Sequence, residues 1–496
     1  MVGVVHARQE RRPAERDHRD RAGGEHPALD PPDPAARPEV ADDRDEVPGR
    51  RVHDPHTGEQ ELLAHLSILK NSELLHERGI YPEVTYIFKH ALTRETTYNT
   101  ILKDRRKNLH AIVGQAIEDI YKENISEYYG VLVEHFIKSE TFEKAAEYSK
   151  LATIKALNAA ALNDAITYSK KRIFSLEKLP LTDEIQKLII DARARLGLNF
   201  LEMNYFHEAN EAIEPIIDVT LKTNYEKRIP QIYTIIGTGR YCINENFQEA
   251  FEYLEKALTI SKKNKDLRSF VNASYWMGYA LAINCEFENA LNHIEQVLNF
   301  HIEANNIPTI AVMKGLISYL VYNWKGDIQT ACQISQDAVL EANKINDVYP
   351  KVFAYACHGV NLFTKGHFDE AKNYLAQGLE FNKRAKQFWW NMGCNQYLGD
   401  AYYDSGEYQK AANYYQEAIH LLKSTRVYPG WLNMNQIALA RATAKIDAKS
   451  INMSLMSTHA AENKLKMLDG KINRYIAEIY LQYDTERTDE AEKWIL

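Results

Sequence analysis

An all-α solenoid of stacked helix pairs is the fold class that this sequence predicts, and three periodic observations predict it. An aromatic residue or Ile followed three positions later by Ala occurs six times, at Phe206/Ala209, Phe247/Ala250, Phe287/Ala290, Ile328/Ala331, Phe368/Ala371 and Tyr408/Ala411, with successive Ala positions 41, 40, 41, 40 and 40 apart. A small residue repeats in phase about twelve positions upstream, at Gly197, Gly237, Gly278, Ser318, Gly359 and Gly399. Pro230, Pro308, Pro350 and Pro429 lie 78, 42 and 79 apart, close to one or two periods. One helix pair cannot bury its apolar faces alone, so such a period implies units that stack on their neighbours.

Bulk properties narrow the function classes. The chain has 496 residues, 60 basic and 68 acidic, for a net charge of -8. A field of that sign gives no case for nucleic acid. No run of eighteen apolar residues offers a membrane span, and the start lacks the apolar core of a secretory signal. The five cysteines (Cys242, Cys285, Cys332, Cys357 and Cys394) never form a C-x-x-C pair and suit small buried thiols in a reducing cytosol, so a cytoplasmic protein is expected.

Three segments follow. Residues 1–60 contain no Lys, Ile, Phe, Tyr, Trp or Asn and hold eight of the fifteen prolines, so they bury too little apolar surface to offset ordering entropy; a disordered, compositionally foreign tail is expected. An arginine-rich nucleic-acid arm is the alternative, opposed by Asp42, Asp43 and Asp45. Residues 61–127 predict a helix over ELLAHLSILKNSELLHERG, a β-prone stretch from Val84 to Phe88, and helix from His90 onward with Leu92, Ile101, Leu102, Leu109, Ile112, Ile117 and Ile120 at helical spacing. That order fits the closing part of a winged-helix unit. Arg105, Arg106 and Lys107 form either a phosphate contact or a solvated face.

From residue 128 to 496 the pattern is helix after helix. Phe142/Ala145 and Leu162/Ala165 are irregular early copies of the signature, and Ala491 lies two periods after Ala411 with a degenerate unit between. The small residue lets two helices approach closely, the aromatic opens the second helix, and the Ala one turn on fits where a larger side chain would part them. A further small or apolar position follows at Ala257, Val297, Ala338, Gly378 and Ala418. Prolines are expected in connections or first turns. The copy QYLGDAYYDSGEYQKAANYYQEAIHLL strongly resembles the tetratricopeptide repeat family, which implies a right-handed superhelical solenoid. The departure is a period near 40 instead of about 34.

A second resemblance lies in front. Tyr86–His110, with Phe88, His90, Ala91, Leu92, Tyr98, Leu102, Arg106 and His110, resembles the winged-helix end of STAND-type signalling ATPases, whose bacterial members carry long-period tetratricopeptide repeats and are often fused to class III adenylate/guanylate cyclases. The resemblance implies a nucleotide-phosphate contact at His90; simple packing at a strand-to-helix joint is the other reading. No phosphate loop, dinucleotide fingerprint, H-E-x-x-H or nucleophile elbow occurs, so no catalysis, cofactor or metal is expected. The leading expectation is a non-catalytic scaffold, the sensor or regulatory arm of a STAND ATPase or cyclase. A fragment of a cyclase whose catalytic domain lies upstream, and a fragment of an ATPase-type transcriptional activator, are the alternatives.

The resemblance places partner binding on a concave face lined by first helices. Exposed inner positions would be Tyr241, Tyr275, Tyr279, Phe353, Phe363 and Tyr403, with Asp400 and Asp404, an aromatic and acidic groove for a protein or peptide carrying Lys or Arg. Ordinary packing between longer helices is the competing reading. The chaperone-type carboxylate clamp is missing, since its positions carry Thr234/Thr238, Tyr275/Tyr279, Ala356/Val360 and Gln396/Asp400. Trp494, Ile495 and Leu496 leave the last unit without a polar cap, so self-association through that end is expected.

Overall fold

The computed structural model describes residues 59–78, 85–159, 161–447, 451–483 and 488–495. The expectation for residues 1–58 therefore lies outside the described residues. Helix α1 (Glu59–Asn71) is followed by strands β1 (Leu75–Arg78) and β2 (Thr85–Phe88) of a two-stranded sheet. The helix expected through residue 79 thus ends early: LHER pairs with the β-prone TYIF, and strand pairing overrides local helix propensity. The chain forms two compact units; Glu77–Ile87 belong to the smaller, and the larger takes in Arg51–His76 and Phe88–Leu496. All that follows concerns the larger unit. Its α2 (Ala91–Thr100) and α3 (Lys103–Ile120) break at Ile101, and α2 buries no residue.

The solenoid runs from α4 (Tyr129–Lys138), α5 (Phe142–Asn158) and α6 (Leu162–Leu176) into paired helices. Each pair has a first and a second member: α7 (Asp183–Glu202) with α8 (Phe206–Ile213), which continues as α9 (Ile217–Lys222) past Pro215, then α10 (Ile229–Asn244) with α11 (Phe247–Lys263). Next come α12 (Leu267–Ile283) with α13 (Phe287–Glu303), α14 (Ile307–Ile317) with α15 (Ile328–Asn343), and α16 (Val348–Thr364) with α17 (Phe368–Ala385). The series closes with α18 (Phe388–Asp404) and α19 (Tyr408–Thr425), α20 (Pro429–Ile446) and α21 (Met453–Ala461), and α22 (Lys466–Tyr483) and α23 (Thr488–Ile495).

The signature explains this regularity residue by residue. Phe206, Phe247, Phe287, Ile328, Phe368 and Tyr408 each open the second helix of a pair. The matching Ala209, Ala250, Ala290, Ala331, Ala371 and Ala411 are fully buried. A Cβ at Gly237 would stand 3.0 Å from the Ala250 carbonyl oxygen, and one at Gly278 would stand 2.6 Å from Ile294. The backbones therefore touch where glycine is placed. The fourth copy has Ser318 instead of Gly, and there α14 widens into a π-helical turn, Ser318–Asn323. Asn361 donates to the Ser318 hydroxyl at 3.1 Å and accepts from Asn323 at 2.9 Å, so the widened turn is stitched to α16 by buried polar groups. Pro230, Pro308, Pro350 and Pro429 all fall in first turns, where the missing N–H is harmless.

The turn between the two helices is also periodic. Asn204, Glu245, Cys285, Gly326, Gly366 and Gly406 all have positive φ, and each lies five residues before the signature Ala. Glycine takes that conformation freely, whereas a side chain there costs about 1–2 kcal/mol. Glu245 accepts the strain, and its carboxylate accepts a hydrogen bond from Gly430 N–H at 2.7 Å, 185 residues along the chain.

That contact belongs to a seam where the solenoid meets itself. Tyr428, at the N-cap of α20, has φ 53°, rare for a bulky residue and unusual before proline. Its N–H donates to the Cys242 carbonyl at 2.7 Å, and its hydroxyl accepts from the Cys242 thiol at 3.1 Å. Its ring lies 4.7 Å from Trp389 and 5.8 Å from Phe206. Asn204 donates to Gln387 at 3.3 Å.

Two predictions follow from the packing and the seam. Gly278→Val is expected to lose about 1–3 kcal/mol or more by overpacking, whereas Gly470→Ala, whose Cβ meets nothing within 4 Å, is expected to gain about 0.5–1 kcal/mol; denaturant titration of both variants checks the pair. Burial raises the Glu245 carboxyl from 4.5 to about 7 against the Gly430 N–H and Lys464. The folded chain thus keeps a proton that the unfolded chain releases, so this group destabilises the fold as pH rises from 4.5 through about 7. The loss is on the order of 3 kcal/mol. Glu245→Gln keeps an acceptor for Gly430, so the variant is expected to melt with the parent near pH 5 and above it at pH 8; equal melting at pH 8 would refute the assignment.

Candidate partner-binding surface

First helices form the inner layer, and burial is uneven between the layers. Twelve of the seventeen residues of α16 and fourteen of the seventeen of α18 are buried, against four of eighteen in the outer α17. The outer helices present one face to solvent. Inner helices α16 and α18 are covered on both sides, by their own partners and by inner helices from other units.

This geometry corrects the expected groove. Asp404 is exposed as expected, but Tyr241, Tyr279, Phe353, Tyr403 and Asp400 are buried, and Tyr275 and Phe363 are half-buried. They pack inward because the solenoid curves back on itself, bringing rings from distant units into contact. Tyr279 lies edge-on to Trp389 at 6.2 Å, Phe353 to Trp390 at 5.7 Å, and Tyr319 to Trp390 at 5.5 Å. Phe363 packs against Tyr397 and Phe368. Trp389, Trp390 and Tyr428 were not among the expected site residues. The bulky run QFWWNM opening a first helix, and a tyrosine preceding proline at Tyr428, are the sequence features that carry them. The positions of the absent carboxylate clamp are buried too, apart from Tyr275.

The expected acidic patch is neutralised from within. Asp400 accepts from Lys471 at 2.6 Å and from the hydroxyls of Tyr475 and Tyr415 at 2.6 and 2.7 Å. Burial alone would raise its carboxyl, but the Lys471 ammonium and the two hydroxyls outweigh it and hold it below the usual carboxylate range. Asp404 receives Arg441 at 3.3 Å. Arg441, itself buried, also donates to Glu478 at 2.5 Å and lies 3.5 Å over the Tyr403 ring and 4.2 Å over the Tyr475 ring. Residues Asp400, Tyr403 and Asp404 therefore join α18 to α20 and α22 and offer no free charge for a basic peptide.

His90 stands at the N-cap of α2, exposed, with no side-chain capping bond. Tyr98 and His110 of the same segment are hydrogen-bonded at 2.9 Å, and His110 Nδ1 lies 3.0 Å from His135 Nδ1 on α4. Among the described residues, no group of three or more His, Cys, Asp or Glu side chains is placed to hold a metal ion. No described helix is long and apolar enough to cross a membrane. Cys242, Cys357 and Cys394 are buried free thiols, and Cys285 and Cys332 are half-buried. At the far end, Trp494 is half-buried; Leu496 and the side chain of Ile495 lie outside the described residues.

Comparison with known proteins gives the fold its relatives. No curated protein matches the chain significantly. Among solved structures it is similar to a Rap protein complexed with competence and sporulation factor, with TM-score 0.54 and 13% identity over 70% of this chain and 95% of that one, a likeness of fold. It is also similar to a signal transduction ATPase with numerous domains bearing a tetratricopeptide repeat sensor, from Pyrococcus horikoshii, with TM-score 0.46 and 14% identity over 87% of this chain. This chain spans 60% of that protein's length. The MalT-like tetratricopeptide repeat region matches residues 240–496, from the last residues of the first helix in the second regular pair to the end of the chain. That match takes in more than half of the sequence and every later pair, so the chain belongs to the MalT-like tetratricopeptide repeat region family.

Proposed function

We propose that this chain is a non-catalytic protein-interaction scaffold, the sensor or regulatory arm of a STAND-type signalling protein working in the cytoplasm. The observation that carries the reading is the series of repeat pairs from α7 to α23, most of it within the MalT-like repeat region. Such a series grows in one dimension and offers extended surface in place of a single reactive cleft. Its partner is a protein or peptide, engaged by the first-helix wall where that wall is open to solvent. Residues 61–127, which resemble a winged-helix end, would pass the response onward. Leu92 and Leu102 at 74% and 78% exposure supply an apolar face for that coupling.

A peptide library displayed on phage and panned against the full chain tests the reading. Enriched peptides are expected to slow amide exchange in α7, α10 and α12 more than in the outer α11 and α13. Protection confined to the outer helices, or no enrichment, would refute a first-helix binding wall. Calorimetry with ATP and ADP completes the test: turnover of ATP by the purified chain would overturn the non-catalytic reading, and binding lost in His90→Ala would assign His90 to nucleotide.

A further inference from the structure

Residues 426–431 (RVYPGW), which lead from α19 into α20, lie against the first two regular pairs as a bound peptide would. Every second residue hands one main-chain group across the seam. The Arg426 carbonyl stands 3.2 Å from His207 Nε2, Tyr428 N–H donates to the Cys242 carbonyl at 2.7 Å, and Gly430 N–H donates to Glu245 at 2.7 Å. Val427 and Tyr428 are buried against those pairs, while Arg426 and Pro429 are exposed, so the segment lies on them as a single layer with its back to solvent.

The receiving side is built without the segment. Cys242 lies in the last turn of α10, where carbonyls lack intrahelical donors, and Glu245 lies in the turn that follows. The Tyr428 ring enters between Trp389 at 4.7 Å and Phe206 at 5.8 Å. Both walls have supports of their own, Trp389 edge-on to Tyr279 at 6.2 Å and Phe206 edge-on to Trp276 at 6.0 Å. A slot for one aromatic ring therefore remains when Tyr428 withdraws, with the Cys242 thiol at 3.1 Å marking the place of its hydroxyl. The segment itself is held against its own preference. Arg426 and Tyr428 both have positive φ, and the proline after Tyr428 narrows its backbone choices further. Gly430 is pinched as well, since a Cβ there would stand 2.8 Å from Leu465 and 3.0 Å from Glu245. A ligand free of these constraints competes with the segment at an advantage.

We propose that residues 427–430 are an internal stand-in for a partner, and that the seat they occupy is the docking site of a partner protein's tyrosine-bearing segment, which binds by displacing them. The partner's tyrosine ring fills the slot between Phe206 and Trp389, its hydroxyl accepts from the Cys242 thiol, and its main-chain N–H groups satisfy the Cys242 carbonyl and Glu245. An aromatic body with a polar tip, buried in a preformed slot, is the common form of an interface anchor. Self-occupancy makes the closed chain a weak binder, because apparent affinity falls by the fraction of molecules whose seam is open. The inference rests on the scaffold reading and adds the place of binding, the partner's anchoring residue and the segment that blocks it.

Fluorescence anisotropy with the full chain tests it, using as probes the fluorescein-labelled peptide amides RVYPGW and, with Ala for Tyr, RVAPGW. Tyr428→Ala empties the slot and is expected to bind RVYPGW roughly tenfold or more tightly than the parent chain does. The same variant is expected to bind RVAPGW roughly tenfold or more weakly than RVYPGW. Gly430→Ala crowds the segment and leaves every receiving side chain in place, so it is expected to gain affinity for RVYPGW as well. Circular dichroism melting confirms that each variant folds, and Gly430→Ala carries the test if Tyr428→Ala does not. Equal binding of RVYPGW by the parent and the folded variants, or of RVAPGW and RVYPGW by Tyr428→Ala, would overturn the proposal. A parent chain that sediments as a dimer, with Tyr428→Ala a monomer, would overturn the partner and assign the seat to a second copy of this chain. Library peptides that protect α7, α10 and α12 while RVYPGW stays unbound by the folded variants would leave the scaffold standing and remove this inference alone.

Discussion

Backbone contact between the two helices of a pair is the constraint on which the rest of the molecule depends. At Gly237 and Gly278 a Cβ would meet neighbouring side-chain carbons at 2.9 and 2.6 Å, and the carbonyls of Ala250 and Ala290 stand close behind. A left-handed residue five positions before each Ala sets the reversal that delivers the second helix to that contact. Close approach and reversal repeat with a period of 40 or 41, so each pair meets the next in nearly the same way. Small rotations between identical pairs accumulate into curvature. The one copy with a β-carbon at the contact, Ser318, widens its own helix and keeps the register by polar bonds to Asn361.

Curvature then decides what the inner wall can be. A gently curved array would leave first helices facing solvent; this one brings Tyr428 to Cys242 and Gly430 to Glu245. The residues that make the seam are also the strained ones, since Glu245 and Tyr428 both have positive φ. Strain of about 1–3 kcal/mol at each persists where surrounding contacts over-determine the conformation, and burial of the Tyr428 ring among Phe206, Trp389 and Trp431 contributes an offset of similar size. Glu245 adds a desolvated carboxyl to the same contact. The seam is therefore held by packing and opposed by backbone and charge, a balance that places it nearer to opening than the glycine contacts within each pair.

The parts legible in the sequence are those fixed locally. The Phe/Ala spacing, the in-phase glycines and the prolines located the helix pairs, because each reports a contact between residues about twelve positions apart or a first turn. The inner surface was not legible in the same way. Tyr241, Tyr279 and Tyr403 sit at positions that face outward along a groove in a shorter-period array, and whether a groove exists depends on contacts such as Tyr279 with Trp389, set by curvature summed over three pairs. Charge suffered the same loss: Asp400 is acidic in sequence, but Lys471 and two tyrosines reach it from 15 to 75 residues away. In front, LHER looked helical because its strand partner lies outside any local window.

Charge along the wall is governed by burial. In the later pairs, buried cations are matched: Lys471 meets Asp400, and Arg441 meets Glu478 and Asp404. A buried charge without a partner is strongly unfavourable, so matching is what folding stability alone would produce. In the early pairs Arg172 and Arg195 are half-buried and Arg268 is exposed; burial disfavours the charged forms of Arg172 and Arg195, and Asp191 and Glu202 offset part of that. Early pairs follow the same rule where a cation is well covered, since Arg228 meets Asp191 and Arg193 meets Glu177.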